Sequence, residues 1–453
     1  MDKKTMIERL VRDVHEKSGY TGTWLYAEKG KIVSKGAIGV NDLEKGTPVT
    51  EEMVFDIASV SKQFTASAVM LLRRRGLLSL DDEITKFFPD VPFPGVTIRH
   101  LLTHTGGLPD YEKWITKTAT AEHTIPGNEI MIRFLRESGE KAAFAPGEKW
   151  EYSNTGYCVL AQIVETVSGM RFEDFLAENI FIPAGLTSTK IYHRRKDGIT
   201  IPNLALGMVL EDGRYLLPDD SKGSSDVVPL DGVNGDGLVH SNIFDLLRWD
   251  HVLRKGKLIT PEEQAEMYTP TKLSSGEPAI DDDLLGPDFY GYGWNIVNDP
   301  EHGLIVSHSG YWPEYSTWYE RFIDENKVIV KFCCRDQLDG RANDALVIGL
   351  HAIASGKEPE PVRTIEEIEI KDPDKSGWAS FCGKYEKPDE DWFVEEVFMR
   401  DGTLFAKFIL GSRTEESKLY PLGEREFGVK RYSIVFKFGD GSICYDGHTC
   451  QKL

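Results

Sequence analysis

The chain has 453 residues, with 53 basic and 73 acidic side chains and a formal net charge of -20. That length exceeds one ordinary core and predicts two or three domains. The acidic balance argues against nucleic acid and anionic membranes as main partners, and 40% apolar with 28% charged residues is a globular composition.

Residues 1–17 are charged throughout, with no apolar core or cleavage site, so they do not read as a signal peptide. Ile7, Leu10, Val11 and Val14 mark one face of an amphipathic helix. No apolar run approaches the ~20 residues that span a bilayer. These features point to a cytoplasmic protein; a secreted form with its leader removed fits the same residues.

Residues 22–38 predict a β-hairpin around the turn Glu28-Lys29-Gly30-Lys31. The string Ser59-Val60-Ser61-Lys62 opens an apolar helical run that ends in Arg73, Arg74 and Arg75, with Gly76 as a left-handed stop. Residues 77 to about 285 read as helices and Pro/Gly-bearing loops, with helices expected over 156–167 and 242–254. Strands follow at 293–297, 303–307, 316–322 and 327–332, then a helix at 342–354. The two ends are expected to form one antiparallel sheet with a helical lobe inserted between them.

Three short strings carry the chemistry: Ser59-x-x-Lys62, Tyr152-Ser153-Asn154 and His308-Ser309-Gly310. Each has a plainer reading, such as a capping serine on a core helix. Ser-x-x-Lys recurs at Ser138–Lys141 and His-x-Gly at His104–Gly106, but in different local contexts. Residues three apart share a helix face, so Lys62 can point at the Ser59 hydroxyl. A serine needs such a base nearby, and a lysine serves only with a lowered pKa. Tyr152 is a second candidate base, and the residues alone leave the choice open. Together the strings read as a serine acyl-transfer enzyme.

The run Phe55-Asp56-Ile57-Ala58-Ser59-Val60-Ser61-Lys62-Gln63-Phe64-Thr65 resembles the active-serine segment of the class C β-lactamase superfamily, which includes penicillin-binding proteins, D-aminopeptidases and carboxylesterases. Residues 98–111, Phe144-Ala145-Pro146-Gly147-Glu148 and Tyr290-Gly291-Tyr292-Gly293-Trp294 are similar too, so the resemblance covers about the first 355 residues. It implies Ser59 as acylated nucleophile, Lys62 and Tyr152 as the proton-handling pair, Asn154 as a hydrogen-bond partner, and the N–H groups of Ser59 and Tyr311 as the oxyanion hole. Many relatives carry lysine at the position of His308, facing the substrate's carboxylate. A histidine there, mostly neutral at pH 7, shifts the expectation from β-lactamase toward esterase or D-aminopeptidase. Gly310 is expected to leave room for substrate beside the strand edge.

The fold class expected is α+β: an antiparallel sheet flanked by helices with an inserted helical lobe, plus a small C-terminal antiparallel β-barrel similar to the lipocalin-like domains of some D-aminopeptidases. The divisions expected are a catalytic domain over 1–355, a Glu/Lys/Pro-rich linker over 356–375, and the barrel over 376–453. Barrel turns are expected at Asp401-Gly402, Gly439-Asp440-Gly441 and Asp446-Gly447. That domain is either a stabilising module or the source of a loop over the active-site mouth. The six cysteines form no Cys-x-x-Cys pair, Cys444 and Cys450 flank a turn, and reduced thiols are expected. No cofactor and no catalytic metal are expected. The partner expected is a small ester, amide or D-amino-acid peptide, with Tyr111, Trp114, Tyr290 and Trp312 as candidate pocket walls. A β-lactamase, a DD-peptidase and a non-catalytic penicillin-binding-like scaffold are the alternatives.

Overall fold

The computed structural model describes residues 1–224, 226–386, 392–410, 413–445 and 448–453. Eight strands make the main sheet: β1 (Gly22–Glu28), β2 (Lys31–Ile38), β3 (Ile280–Asp283), β4 (Gly286–Tyr290), β5 (Asn295–Asp299), β6 (Gly303–Trp312), β7 (Tyr315–Phe322) and β8 (Lys327–Cys333). All pairs are antiparallel, in the order β3-β4-β5-β6-β7-β8-β1-β2. The N-terminal hairpin therefore closes onto the last strand, as the sequence predicts. Its two-residue turn uses Lys29 and Gly30, both left-handed, which matches the twist of the flanking strands.

Alternation along β1 and β8 divides the protein into two cores. Tyr26 and Ile329 face a layer built by α1 (Lys3–Ser18) and a closing helix, Gly340–Ala354. Ile7, Leu10, Val11 and Val14 fill that layer. Gly349 permits the close helix approach, since a Cβ there would lie 2.5 Å from a Leu10 methyl. Leu25, Val330 and Phe332 face the larger core, which continues into the helical lobe through α2 (Lys62–Arg74), α3 (Asn154–Ser168) and α4 (Ile243–Lys255). Asn242 caps α4 with its side chain, and Ser153 caps α3. The buried Arg321 of β7 pairs with Asp250 of α4 at 2.8 Å, tying sheet to lobe.

The run that ends at Tyr290 is more strand-rich than the sequence predicts, because β3 and β4 precede it. β3 carries Asp281, Asp282 and Asp283 and lies at the sheet edge, where polar side chains mask any apolar period.

A third, aromatic core lies between the C-terminal strands, with Trp378, Phe381, Phe408, Phe427, Phe436 and Tyr445. The single closed barrel is corrected here. The strands form a four-stranded meander over 383–418 and a five-stranded meander over 420–451. The isolated bridge Tyr385–Lys452 joins one seam. At the other, the chain turns from one sheet to the next at Leu419 and enters the two-residue strand Tyr420–Pro421, whose proline has no N–H for a ladder. Asp401 and Gly402 form their turn with left-handed backbones; the turn Asp446-Gly447 lies outside the described residues. Cys444 pairs with Thr449 and Cys450 with Ile443, and all six cysteines are free thiols.

Residues 356–375 include the helix Ile365–Ile368 and are held at both ends. Lys17 donates to the Val362 carbonyl, and the Ile370 N–H donates to the Pro421 carbonyl. Among the described residues no helix is long and apolar enough to cross a membrane.

Candidate active site

Ser59 sits in a 3-10 turn, Ala58–Ser61, that runs directly into α2. Ala58 has φ 46°, a strained conformation for a non-glycine residue. The turn is clamped: Ile57 N–H donates to Val239 O, Thr317 Oγ1 donates to Ile57 O, and Val239 N–H donates to Ser61 Oγ. Gly310 of β6 lies against the same turn. A Cβ there would stand 2.5 Å from Ile57 O and 3.2 Å from Ser59 N. Its glycine is required for this contact, not for open space beside the strand as the sequence predicted.

Lys62 is fully buried. Its Nζ lies 3.0 Å from Ser59 Oγ, 2.8 Å from Asn154 Oδ1 and 2.9 Å from the Asp236 carbonyl. Burial lowers its pKa to about 8. The same ammonium lies 4.8 Å from the centre of the Tyr152 ring. Tyr152 exposes 37% of its surface at the cleft mouth, but its hydroxyl end is enclosed. That enclosure pushes its pKa well above the usual phenol range, against the pull of a hydrogen bond with Ser59.

His308 is buried, and both ring nitrogens are engaged. Nδ1 faces the Ser309 carbonyl at 2.6 Å and so donates, and Nε2 accepts from Tyr290 Oη at 3.0 Å. Burial, with Lys62 nearby, lowers its pKa to about 3, so the ring is neutral. The β5–β6 ladder ends at the Asn295–Ser307 pair, and from His308 to Trp312 the described residues pair β6 only with β7. Its free edge passes Ser59, and Tyr311 stands 68% exposed at the mouth.

A cavity of about 310 Å³ opens beside Ser59. Tyr111 and Trp312 line it, as expected; Tyr290 is buried against His104 and His308 and does not line it, and Trp114 packs on Phe134 instead. Its acidic lining residues are Asp56, Glu112, Asp226 and Asp236, and among the described residues no Lys, Arg or His is in the wall.

Two residues escaped the sequence reading. Asp236 supplies the carbonyl under Lys62, and its carboxylate accepts from Tyr111 Oη at 2.7 Å. A backbone acceptor has no side-chain signature, so only the Gly-rich context of 232–237 hinted at it. His104, set aside as a chance His-x-Gly, is buried in the site's aromatic cluster beside Tyr152, Tyr157 and Tyr290. Its place inside the run 98–111 was the available signal. Ser138, by contrast, caps the end of the helix Ile130–Glu137 and does not line the Ser59 cavity. Among the described residues no group of three His, Cys, Asp or Glu side chains is placed to hold a metal.

The chain is similar to known proteins over nearly its whole length. A family profile described as beta-lactamase matches residues 7–353. Penicillin-binding protein 4* of Bacillus subtilis (strain 168) is 34% identical over 439 residues, covering 96% of this chain and 94% of that protein. Esterase EstB of Burkholderia gladioli is 27% identical over 330 residues, 63% of this chain and 78% of that one. The solved octameric penicillin-binding protein homologue from Pyrococcus abyssi superposes with a TM-score of 0.67 at 23% identity, covering 100% of both chains. With the Ser59–Lys62 geometry seated in a matched region of this extent, the chain belongs to the beta-lactamase family, whose members include serine hydrolases and penicillin-binding proteins.

Proposed function

We propose that the protein hydrolyses a small ester or amide through a covalent acyl-Ser59 intermediate. The observation that carries this reading is Lys62: fully buried, 3.0 Å from Ser59 Oγ, and with its pKa lowered to about 8. At pH 7 about a tenth of such lysines are neutral, enough to act as base. Tyr152, held protonated by its enclosure, is the poorer base and the better relay.

In acylation the Ser59 proton passes to Lys62 Nζ as Oγ bonds to the substrate carbonyl carbon. The oxyanion is held by the N–H groups of Ser59 and Tyr311 at the free edge of β6. The proton moves from Lys62 through Tyr152 to the leaving group, and the carbonyl–leaving-group bond breaks. Water then attacks the acyl carbon by the reverse route and releases Ser59. Asn154 holds Lys62 on this line through its Oδ1.

His308 supports esters and simple amides over β-lactams. Both its nitrogens are occupied and the ring is neutral, so it offers a substrate carboxylate no charge. The carboxylate-lined cavity favours a second reading in the same class, an amidase or D-aminopeptidase whose substrate carries an amine. A fluorophosphonate label read by intact mass tests the proposal. One adduct is expected, lost in Ser59→Ala and kept in Ser138→Ala. An adduct that survives Ser59→Ala, or none on the unchanged protein, overturns it and favours the scaffold alternative.

A further inference from the structure

Behind the Ser59 cavity lies a second one of about 50 Å³. The two share the wall residues Asp56, Leu230, Leu238 and Trp312, so they adjoin. The feature that sets it apart is Glu314. The β6–β7 hairpin turns at Pro313-Glu314, and Glu314 has φ 78°. A proline followed by a left-handed residue is a type II arrangement, where glycine or asparagine is the usual second residue. This chain spends backbone strain to put a glutamate there. Its side chain is 6% exposed, and Oε2 has no hydrogen-bond partner. Room for it comes from Gly207, where a Cβ would stand 1.7 Å from Glu314 Cγ.

The ion pairs around this cavity leave two carboxyls over. Arg194 pairs with Asp219 at 2.7 Å; Arg195 pairs with Asp219 at 2.8 Å and with Asp231 at 3.4 Å. The two arginines are thus matched by two aspartates. Among the described residues no ion pair reaches Asp56 or Glu314, although both are buried. Asp56 accepts a single N–H, from Ala58. His240 has its Nδ1 at the Leu238 carbonyl, and burial holds the ring neutral with a pKa lowered to about 4. Burial also pushes the Glu314 carboxyl well above its usual range and raises Asp56 to about 7. Arg195 pulls electrostatically against both shifts but forms an ion pair with neither carboxyl, and a buried carboxyl without a contacting cation favours its neutral form until one arrives. Ile201, Leu204 and Leu206 add an apolar wall, suited to an alkyl stem.

The side of the nucleophile is also fixed. The larger cavity touches Ser59, Tyr311, Trp312 and Pro313, but neither Tyr152 nor His308. Tyr152 is where the leaving group takes its proton in the proposed reaction, so this cavity holds the acyl portion. We propose that the cavity at Glu314 is a subsite for the primary-ammonium tip of an alkyl-chain acyl group, with Glu314 and Asp56 as its partners. This rests on the serine-hydrolase reading and adds the chemistry of the acyl group to it.

The test compares 6-aminohexanoyl and hexanoyl p-nitrophenyl esters on the unchanged protein and on Glu314→Gln. The glutamine keeps the shape and removes a buried ionisable group, so the variant should fold. The unchanged protein should prefer the amino ester by about tenfold or more in kcat/KM, and Glu314→Gln should bring that ratio below about threefold. Equal rates for the two esters overturn the inference, as does a preference that survives Glu314→Gln. Calorimetric titration with n-butylammonium against n-butanol needs no turnover. The ammonium should bind the unchanged protein about tenfold tighter than the alcohol, and Glu314→Gln should lose that difference; equal binding overturns the subsite. If hexanoyl ester acylates Ser59 but the amine confers no preference, only the subsite falls. If neither ester acylates Ser59, the hydrolase reading falls and the titration still decides the subsite.

Discussion

The imidazole of His104 lies against the phenol of Tyr152, with ring centroids 4.4 Å apart. Its hydrogen bonds bracket that tyrosine in the chain: Nδ1 accepts from Ser153 N–H at 3.0 Å and the carbonyl accepts from Glu151 N–H at 3.0 Å. Burial, with Lys62 and His308 nearby, holds its pKa well below the usual histidine range. The ring is neutral and cannot compete for the proton that Lys62 handles. Its backbone is left-handed, φ 56°, which only a few residue types adopt readily.

His104 therefore positions Tyr152. His104→Ala should lower the acylation rate by about 100-fold with little change in KM, the effect of a misplaced catalytic group. His104→Asn, which tolerates the left-handed backbone and offers an acceptor, should recover part of it. In a Tyr152→Phe background His104→Ala should cost much less than it does alone, because the two act as one unit. Full additivity in stopped-flow acylation would show that His104 serves the fold only.

The pH profile follows from Lys62. The reactive form is the neutral amine, and burial lowers its pKa to about 8. Below that value kcat/KM should fall by about tenfold per pH unit, and above it should level off. The acid limb belongs to the free enzyme, so it should persist for esters with different leaving groups. Lys62→Arg cannot deprotonate in the working range and should lose the activity at every pH. A limb centred near 6, unmoved by substitution at Lys62, would point to another base.

Stability at the sheet–lobe junction should depend on Asp250. Its two oxygens take Arg321 Nε and Arg254 Nε, each at 2.8 Å, and Arg321 also donates to Tyr268 Oη. Arg321 and Asp250 are each 1% exposed. Asp250→Ala strands a buried guanidinium and should lower the unfolding free energy by about 3–5 kcal/mol. Urea denaturation followed by fluorescence measures it; a loss below about 1 kcal/mol would mean that water reaches the vacated site.

Much of this was legible because local chemistry repeats local rules. The turn Lys29-Gly30, the stripe Ile7, Leu10, Val11 and Val14, and the Ser59–Lys62 spacing each encode their geometry within a few residues. The strand Arg413–Lys418 leaves no apolar alternation to read, because it is polar along its length at a sheet edge, where none is needed. His104 and Glu314 were missed for a different reason. Each owes its place to a left-handed backbone at a non-glycine residue and to neighbours far away in sequence; the run 98–111 marks the segment of His104 but not its role, and nothing comparable marks Glu314.

The last prediction concerns His308 and substrate class. A charged partner for a substrate carboxylate is worth roughly 1.5–3 kcal/mol. Here the ring is neutral, its Nε2 accepts from Tyr290 and its Nδ1 faces Ser309 O, so that gain is absent. Nitrophenyl butyrate or D-alanine anilide should therefore exceed a chromogenic cephalosporin in kcat/KM. His308→Lys should narrow the gap. It also puts a second ammonium near Lys62, which already acts electrostatically on the ring at 308. Two like charges in a buried site depress each other's pKa, so the acid limb of the ester reaction should move below 8 in that variant. A cephalosporin leading the panel by a wide margin would refute the histidine argument. An unmoved limb would show instead that the new lysine turns away from Lys62.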